Sequence, residues 1–485
     1  MAKSETSKRY LHIAIALIIF IVVNLLLHPG NGLTDKGVIT VALFAGTIWL
    51  WIFVGVDWPS LLVPGALIAF GVMSQTQMLA VSFGNMCFAY VLTTMLVNVA
   101  LEDTGVIEKV ATWFISRKMC KGRPWVFLGM FLFSCVFLEF FLDCVPVTLI
   151  YLVMADRICQ MLGYEKGSRF GQALVYSILV LVIIPYGATP ISHPGAVLMM
   201  GFLEQVGLPI TAGQYMAVGV PFSLLALVIV MLILKFMVRP DFTKFDAYDP
   251  DEMRKSLKPL DAKGKVAVVI FIAIVFCWLA PDIFKAFAPE FAGIFSQMGF
   301  VAPPTLGVAL LAVIHIDDKP ILNVKKDLFR IPLPTLIFIV GIQAFANTLT
   351  NEATGVSTWL GNIFAPFAES IPGGAVVWIT LLLTIVMTQF LSNIVVLNLI
   401  WAAFMPVLMA LNASGGSFNI AAWGVVMVLV ANVAFMFPSA SVCSPMCFTS
   451  GYLEVKHGIS YGLPAVVVLY VIACVLCYPL ACVLM

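Results

Sequence analysis

The chain has 485 residues, of which 62% are hydrophobic and only 11% charged, and its mean hydropathy is +1.06. That is more apolar surface than a soluble core can bury, which excludes a water-soluble globular protein and implies a polytopic helical membrane protein. The formal net charge of +1 says nothing about partners, because in such a protein the placement of Lys and Arg matters more than their sum.

Residues 1–9 hold Lys3, Lys8 and Arg9 and lead into an apolar run from Leu11 to Leu27. The run is long and ends in His28-Pro29-Gly30 without a small-x-small cleavage site. It therefore predicts a retained leading span, residues 1–30, with its N-terminus in the cytoplasm. Apolar runs at 37–56, 60–73 and 83–101 predict three further spans. An amphipathic stretch from Thr104 to Lys118, carrying Glu108, Lys109, Arg117 and Lys118, predicts a helix along the membrane face. From Trp125 to Ala155 the sequence is apolar except at Glu139 and Asp143, with Pro146 near the middle. This is too long for one plain span and predicts a re-entrant hairpin whose tip carries the polar residues, since irregular backbone at that depth survives only where it lines a cavity. The next span, 170–205, is broken by Pro185-Tyr-Gly-Ala-Thr-Pro190 and Ser192-His-Pro-Gly195, and a span at 214–237 closes a first half of residues 31–238.

Residues 239–265 form a polar linker in which Arg239, Lys244, Arg254, Lys255, Lys258, Lys263 and Lys265 interleave with Asp241, Asp246, Asp249, Asp251, Glu252 and Asp261. Lys and Arg at that density mark the cytoplasmic side, and the interleaving reads as a solvated connector rather than a basic lipid-binding patch. The second half, residues 266–485, repeats the plan. It has spans near 266–283, 300–316 and 332–349, a surface helix near 355–366, a hairpin near 374–411, a broken span near 419–453 and a final span to Met485. The second break reads Phe437-Pro-Ser-Ala-Ser-Val-Cys-Ser-Pro445. One leading span plus five and five makes about eleven, places the C-terminus outside and inverts the two halves in the membrane.

The halves also match residue by residue at one offset of 250. Glu139, Phe140 and Asp143 fall on Gln389, Phe390 and Asn393; Glu102, Thr104, Gly105 and Val106 recur as Glu352, Thr354, Gly355 and Val356; Gly201-Phe-Leu-Glu204 recurs as Gly451-Tyr-Leu-Glu454. Three blocks in one order and at one spacing indicate an internal duplication. Broken helices at matching places in two repeats point to a transport site.

The eleven cysteines are scattered singly through apolar segments, and the CxxC pair Cys474 and Cys477 lies inside an apolar helix without His or acidic company, so no metal or redox centre is expected. No HExxH, GxSxG or Cys-His cluster is present, which argues against an enzyme. A channel would need a continuous pore with rings of like side chains, which duplicated broken helices do not suggest. His12, His28 and His315 sit in the leading helix or at span ends and need no role.

The two carboxylates are the unusual feature. An ionisable group at mid-membrane costs roughly 2.5–3.5 kcal/mol on insertion scales and normally lines a polar path or finds a partner. Glu139 and Asp143 are four apart, on one helical face if the helix continues that far, so like charges would repel and one is expected to hold a proton or a cation. Carboxylate oxygens suit a hard cation such as Na+. In the competing reading Glu139 pairs with Arg157 or Arg169, leaving Asp143 alone at the tip. His193 either contacts an anion or simply hydrogen-bonds the backbone. Ser439, Ser441 and Ser444 offer hydroxyls in the second break, and Phe140 and Phe390 are read as packing.

Ser392-Asn393 after Thr388-Gln-Phe, the run on to Pro406, the proline- and serine-rich break, and the ending Ser450-Gly-Tyr-Leu-Glu454 with Gly462-Leu-Pro464 resemble the second half of the divalent anion/sodium symporter family of the ion transporter superfamily. The likeness covers nearly the whole chain in order and spacing. It implies homodimers in which two Ser-Asn-Thr tips and two broken helices hold sodium and a di- or tricarboxylate or sulfate, moved by an elevator motion. Here the second tip reads Ser392-Asn393-Ile394 and the first Leu142-Asp143-Cys144, and the break after Pro185 lacks the family's Gly-Thr-Pro-Pro-Asn pattern.

The expectation is a secondary active transporter, in a bacterial inner membrane, coupling Na+ or H+ to a small anion, with no cofactor and no nucleic-acid partner. Candidate substrate contacts are Asp143, Cys144, Thr189, His193, Ser392, Asn393, Ser441 and Ser444, and candidate sodium ligands are Glu139, Asp143, Ser392, Asn393 and Ser439. The alternative is a cation/proton antiporter of the same superfamily in which Asp143 is the exchanging carboxylate.

Overall fold

The computed structural model describes residues 2–255, 259–331, 333–368, 373–413 and 418–485, so Lys258 of the linker lies outside the described residues. In lipid every backbone polar group must be satisfied internally, and apolar runs of this length answer with helices. The only sheet among the described residues is a two-stranded hairpin, His315–Ile316 with Lys319–Pro320, turned by Asp317 and Asp318 at φ of 55° and 59°. That turn ends the span expected over 300–316 at Val313, because two left-handed residues cannot continue a helix.

In the first half α1 (Ala2–Leu26) packs chiefly on α2 (Asp35–Phe53) and is otherwise turned outward. α3 (Asp57–Ala69) is followed by a bent pair, α4 (Gln75–Val81) and α5 (Met86–Glu102), at 44°. α6 (Val106–Ile115) buries Ile107, Ala111 and Ile115 and leaves Trp113 exposed, the sidedness expected of a surface helix. α7 (Pro124–Glu139) and α8 (Cys144–Met161) form the first hairpin. α9 (Arg169–Leu181) and α10 (Pro194–Gln205) are the halves of the first broken span, and α11 (Ala212–Ile233) closes the unit.

The linker carries α12 (Pro250–Lys255). The order then repeats: α13 (Ala262–Phe284), the pair α14 (Pro289–Met298) and α15 (Ala302–Val313) bent by 69°, the short α16 (Val324–Asp327), α17 (Leu333–Thr350) and α18 (Val356–Ala368). The second hairpin is α19 (Gly373–Met387) and α20 (Asn393–Ala413), the second broken span α21 (Ile420–Ala431) and α22 (Ser444–Thr449). α23 (Val455–Ile472) and α24 (Tyr478–Leu484) finish the chain. Among the described residues eight helices are long and apolar enough to cross a membrane, and ten if each bent pair counts as one span. The apolar stretches of α7, α19, α20 and α21 are shorter, as hairpin and broken-span helices are. The observed architecture is thus an all-α membrane protein of two repeats, each with a hairpin and a broken helix.

The repeats exchange equivalent contacts. α3 of the first packs on α17 of the second, and α15 of the second on α5 of the first. Gly37, one turn into α2, abuts the carbonyl of Thr354, while Gly264, one turn into α13, abuts Thr104, the residue that matches Thr354 at the repeat offset. Such reciprocity is the signature of a two-fold relation between like units.

α9 and α21 sit at the centre, with nearly every residue of α9 and all of α21 buried. Helices apolar all round belong in the core, and here they carry the two breaks. The first break is ended by Pro185 and restarted by Pro194, residues that cannot continue a helical hydrogen-bond ladder. Its carbonyls are met by neighbours: Tyr215 donates to the carbonyl of Gly187 at 2.7 Å, Tyr90 to that of Pro190, and the Ser192 hydroxyl to that of Tyr186 at 3.0 Å. α11 reaches this break through Gly219, where a methyl group would collide with the backbone of Ala188. Gly219→Ala is expected to lower stability by about 1–3 kcal/mol through overpacking, read as a lower melting temperature of the purified protein. Gly129→Ala on α7, where a methyl meets nothing within 4 Å, should not.

Candidate functional site between the hairpin tips

Each hairpin turns at a residue that also starts a helix. Asp143 is the N-cap of α8, its Oδ1 accepting from the Val145 amide at 3.0 Å, and its Oδ2 accepts from the Tyr186 hydroxyl of the first break at 3.1 Å. Asn393 opens α20, its Oδ1 accepting from the Ile394 amide at 3.0 Å, while its Nδ2 donates to Oδ1 of Asn432 at 2.9 Å. Asn432 follows the last residue of α21, and Gly187 of the first break lies directly against its side chain. The two tips and the two breaks thereby touch at one place.

Between them lies a cavity of about 440 Å³, and its wall includes Asp143, Cys144, His193, Ser392, Asn393, Ser439 and Ser441 from the candidate residues. Met95, Thr335 and Phe338 of α5 and α17, with Val56 beside α3, complete it. The first turns of α8, α10 and α20 all border the space, so three helix N-termini turn their positive dipole ends toward it. His193 is buried, packs edge-on against Tyr186 at 4.5 Å, and neither ring nitrogen has a partner among the described residues. The expectation that it merely hydrogen-bonds the backbone does not hold.

Three candidates lie elsewhere. The Thr189 hydroxyl donates to the Phe140 carbonyl at 2.6 Å and meets Ser192 at 3.0 Å, so it fastens the first break to the first tip. Ser444 pairs with Ser441 at 2.7 Å where α22 begins. Glu139 is outside the cavity wall and fully buried, with both carboxyl oxygens unpartnered among the described residues. α7 stops at Glu139, so it does not share a helical face with Asp143. Nor does it pair with Arg157 or Arg169: both are exposed, and none of the ion pairs among the described residues involves them. Its charge is felt by Asp143, by the thiols of Cys135, Cys144 and Cys443 and by the hydroxyls of Tyr151 and Tyr186.

Its counterpart Gln389 is fully used. The Gln389 amide donates to the carbonyls of Ile385, at 3.0 Å, and Val433, and its oxygen accepts from the Met436 amide at 3.2 Å. Thr388 beside it donates to the Ala431 carbonyl at 2.6 Å. The second break is therefore held by hairpin side chains, and Phe390 stacks on Phe437 at 5.1 Å to the same end.

A sequence profile described as Citrate transporter matches residues 41–432. The chain belongs to the citrate transporter family. It is an integral membrane transporter and not an enzyme, in agreement with the resemblance to divalent anion/sodium symporters. The sodium-dependent dicarboxylate transporter SdcS of Staphylococcus saprophyticus is 23% identical over 472 residues, covering 92% of this chain and 86% of SdcS. Human Na+/dicarboxylate cotransporter 3 is 25% identical over 218 residues, 40% of this chain and 34% of its own length. Among solved structures, the YdaH transporter of Alcanivorax borkumensis, described as having an unusual topology, matches with a TM-score of 0.58 at 14% identity over 98% of both chains. That likeness speaks for the fold alone.

Two residues of the site escaped the reading of the sequence: Tyr186, which lines the cavity, and Asn432, which holds Asn393 from behind it. Tyr186 stood inside a stretch noted for its prolines, and a tyrosine three residues before a Thr-Pro carried no signal of its own. Asn432 faces Val182 at the repeat offset, so the duplication hid it. Asn432→Ala would leave the half-buried Asn393 amide without its partner, and is expected to cost about 0.5–1.5 kcal/mol, the net worth of one hydrogen bond, as a lower melting temperature.

Proposed function

We propose that this protein is a secondary active transporter that carries a small di- or tricarboxylate, or sulfate, bound in the cavity between the two tips and coupled to Na+ or H+. One observation carries the reading: a cavity bordered by three helix N-termini, with Asp143, Asn393 and the ring of His193, unpartnered among the described residues, in its wall. Positive dipole ends attract carboxylates, and a discontinuous helix is where transporters put them. The names of the relatives, which speak of dicarboxylates and sodium, support the substrate class and the cation. In this reading Asn393, Ser392, Cys144, His193 and Ser441 face the anion, while Asp143, Ser392, Asn393 and Ser439 offer oxygens to Na+, a hard ion that prefers them. Thr189 and Ser444 act one layer back by fixing the breaks.

Glu139 has a separate part. Fully buried and with no oxygen ligand beside it among the described residues, its carboxyl suits a proton better than Na+. A protonated Glu139 also regains a donor, the capacity with which Gln389 holds the second break. Hairpins and breaks are proposed to move as one body past α3, α5 and α17 within a homodimer.

The test is uptake of radiolabelled succinate, citrate and sulfate into proteoliposomes under an imposed Na+ or pH gradient, for wild type and Asp143→Asn. Gradient-driven uptake of at least one anion, lowered tenfold or more by Asp143→Asn if that carboxylate holds the coupling cation, is the expected result. If no anion moves while Na+ addition collapses a pH gradient, the protein is instead a cation/proton antiporter working through Asp143. Glu139→Gln, which keeps size and donor capacity, should leave Na+-driven uptake measurable while abolishing its stimulation by an inward proton gradient. Retention of that stimulation would remove Glu139 from the coupling.

A further inference from the structure

The surface helix α6 and the segment after it carry a second site, unconnected with the cavity. Arg117, Lys118, Lys121 and Arg123 fall within seven residues that hold no acid, and the fold sets Arg254 of the linker helix α12 beside the first two of them. Together with Lys109, Trp113, Ser116 and Met119, the side chains of Arg117, Lys118 and Arg254 line a hollow of about 440 Å³ to which no acidic residue among the described residues contributes. The rest of the linker alternates in sign, so Arg254 is one charge taken out of that row.

Arg117 is held in advance of any ligand. Its guanidinium lies 3.4 Å over the ring of Trp113, and its Nε donates to the Trp113 carbonyl at 2.9 Å. The terminal nitrogens, like the side chains of Lys118 and Arg254, have no partner among the described residues. A planar fork with two free donors matches a phosphate oxygen pair, and two more cations beside it match the charge. The flanks are apolar: Trp113, on α6, whose other face packs against the first hairpin, and Met119, in the turn after it, are 52% and 51% exposed. Exposed Trp and Met beside a cationic hollow, at the end of a membrane hairpin, fit a molecule with a phosphate head and a hydrocarbon body.

We propose that this hollow binds the headgroup of an anionic phospholipid, its phosphate on Arg117, Lys118 and Arg254 and its upper acyl chain against Trp113 and Met119. A soluble phosphate would use the same cations but gain nothing from the apolar flank.

The purified full-length protein, stripped of lipid in neutral detergent, is titrated with cardiolipin, phosphatidylglycerol, phosphatidylcholine or inorganic phosphate, with melting temperature and native mass spectrometry as readouts. The two anionic lipids are expected to stay bound and raise the melting temperature, and the other two ligands are not. Arg117→Gln, Lys118→Gln and Arg254→Gln should each weaken anionic-lipid binding by about fivefold, the worth of one basic residue at an anionic surface. Lys263→Gln and Lys265→Gln, which remove linker charge away from the hollow, should leave it unchanged. The proposal is overturned if phosphatidylcholine binds as well as the anionic lipids, if inorganic phosphate does, or if the two control substitutions weaken binding as much as the three at the hollow.

Discussion

The structure depends on how the chain satisfies its own backbone where two central helices stop inside the membrane. Prolines interrupt α9–α10 and the second break spans Val433 to Cys443, so carbonyls and amides are freed at a depth where water is not the partner. The hairpins and neighbouring helices supply what is missing. Thr388 and Gln389 from the second hairpin hold Ala431, Val433 and Met436, and Thr189 of the first break reaches the tip of the first hairpin at Phe140. Tyr90 and Tyr215 cap the remaining carbonyls of the first break. Each hydrogen bond is modest alone, but a buried group left unmade costs more than a made bond gains, so hairpin and break are tied as one unit.

That accounting also shows which polar groups are left over. Among the described residues His193 and Glu139 are buried with no partner, whereas Thr189, Ser192, Thr388 and Gln389 are spent on backbone groups. The repeats are alike in their scaffold and unlike at this point: Gln389 and Glu139 occupy equivalent places, yet one bridges its break and the other bridges nothing. A carboxylate accepts but does not donate, so it cannot copy the amide without a proton. Duplication thus built two similar halves, and the Glu139/Gln389 pair is one of the places where they differ chemically, with Asp143/Asn393 and Val182/Asn432.

Much of the architecture was legible in the chain. Long apolar runs, prolines in matching places and three blocks at a constant offset led to the hairpins, the breaks and the surface helices at nearly the positions observed. Periodicity missed α4, α14 and the small strand turn, where short elements sit between spans and composition does not change. At the site, Asp143, Asn393, Ser392, Cys144, His193, Ser439 and Ser441 do meet at one cavity. Spacing misled for Glu139, since the helix that would align it with Asp143 ends at Glu139 itself. Thr189 and Ser444 are polar residues in the right stretch, but their hydroxyls are turned to the fold and not to the cavity.

By itself the sequence determined the solvent of this protein, the number of its structural units and the places where helices must break, because hydropathy, proline and duplication are properties of the chain read in order. Only the tertiary structure decided which side chains face a common space and which are consumed in holding it open. Asn432 and Tyr186 become neighbours of Asn393 and Asp143 through contacts about forty residues apart in the chain, at 39 and 43 residues of separation. A hydrogen-bond partner is set by where two helices cross, and no local pattern records that crossing.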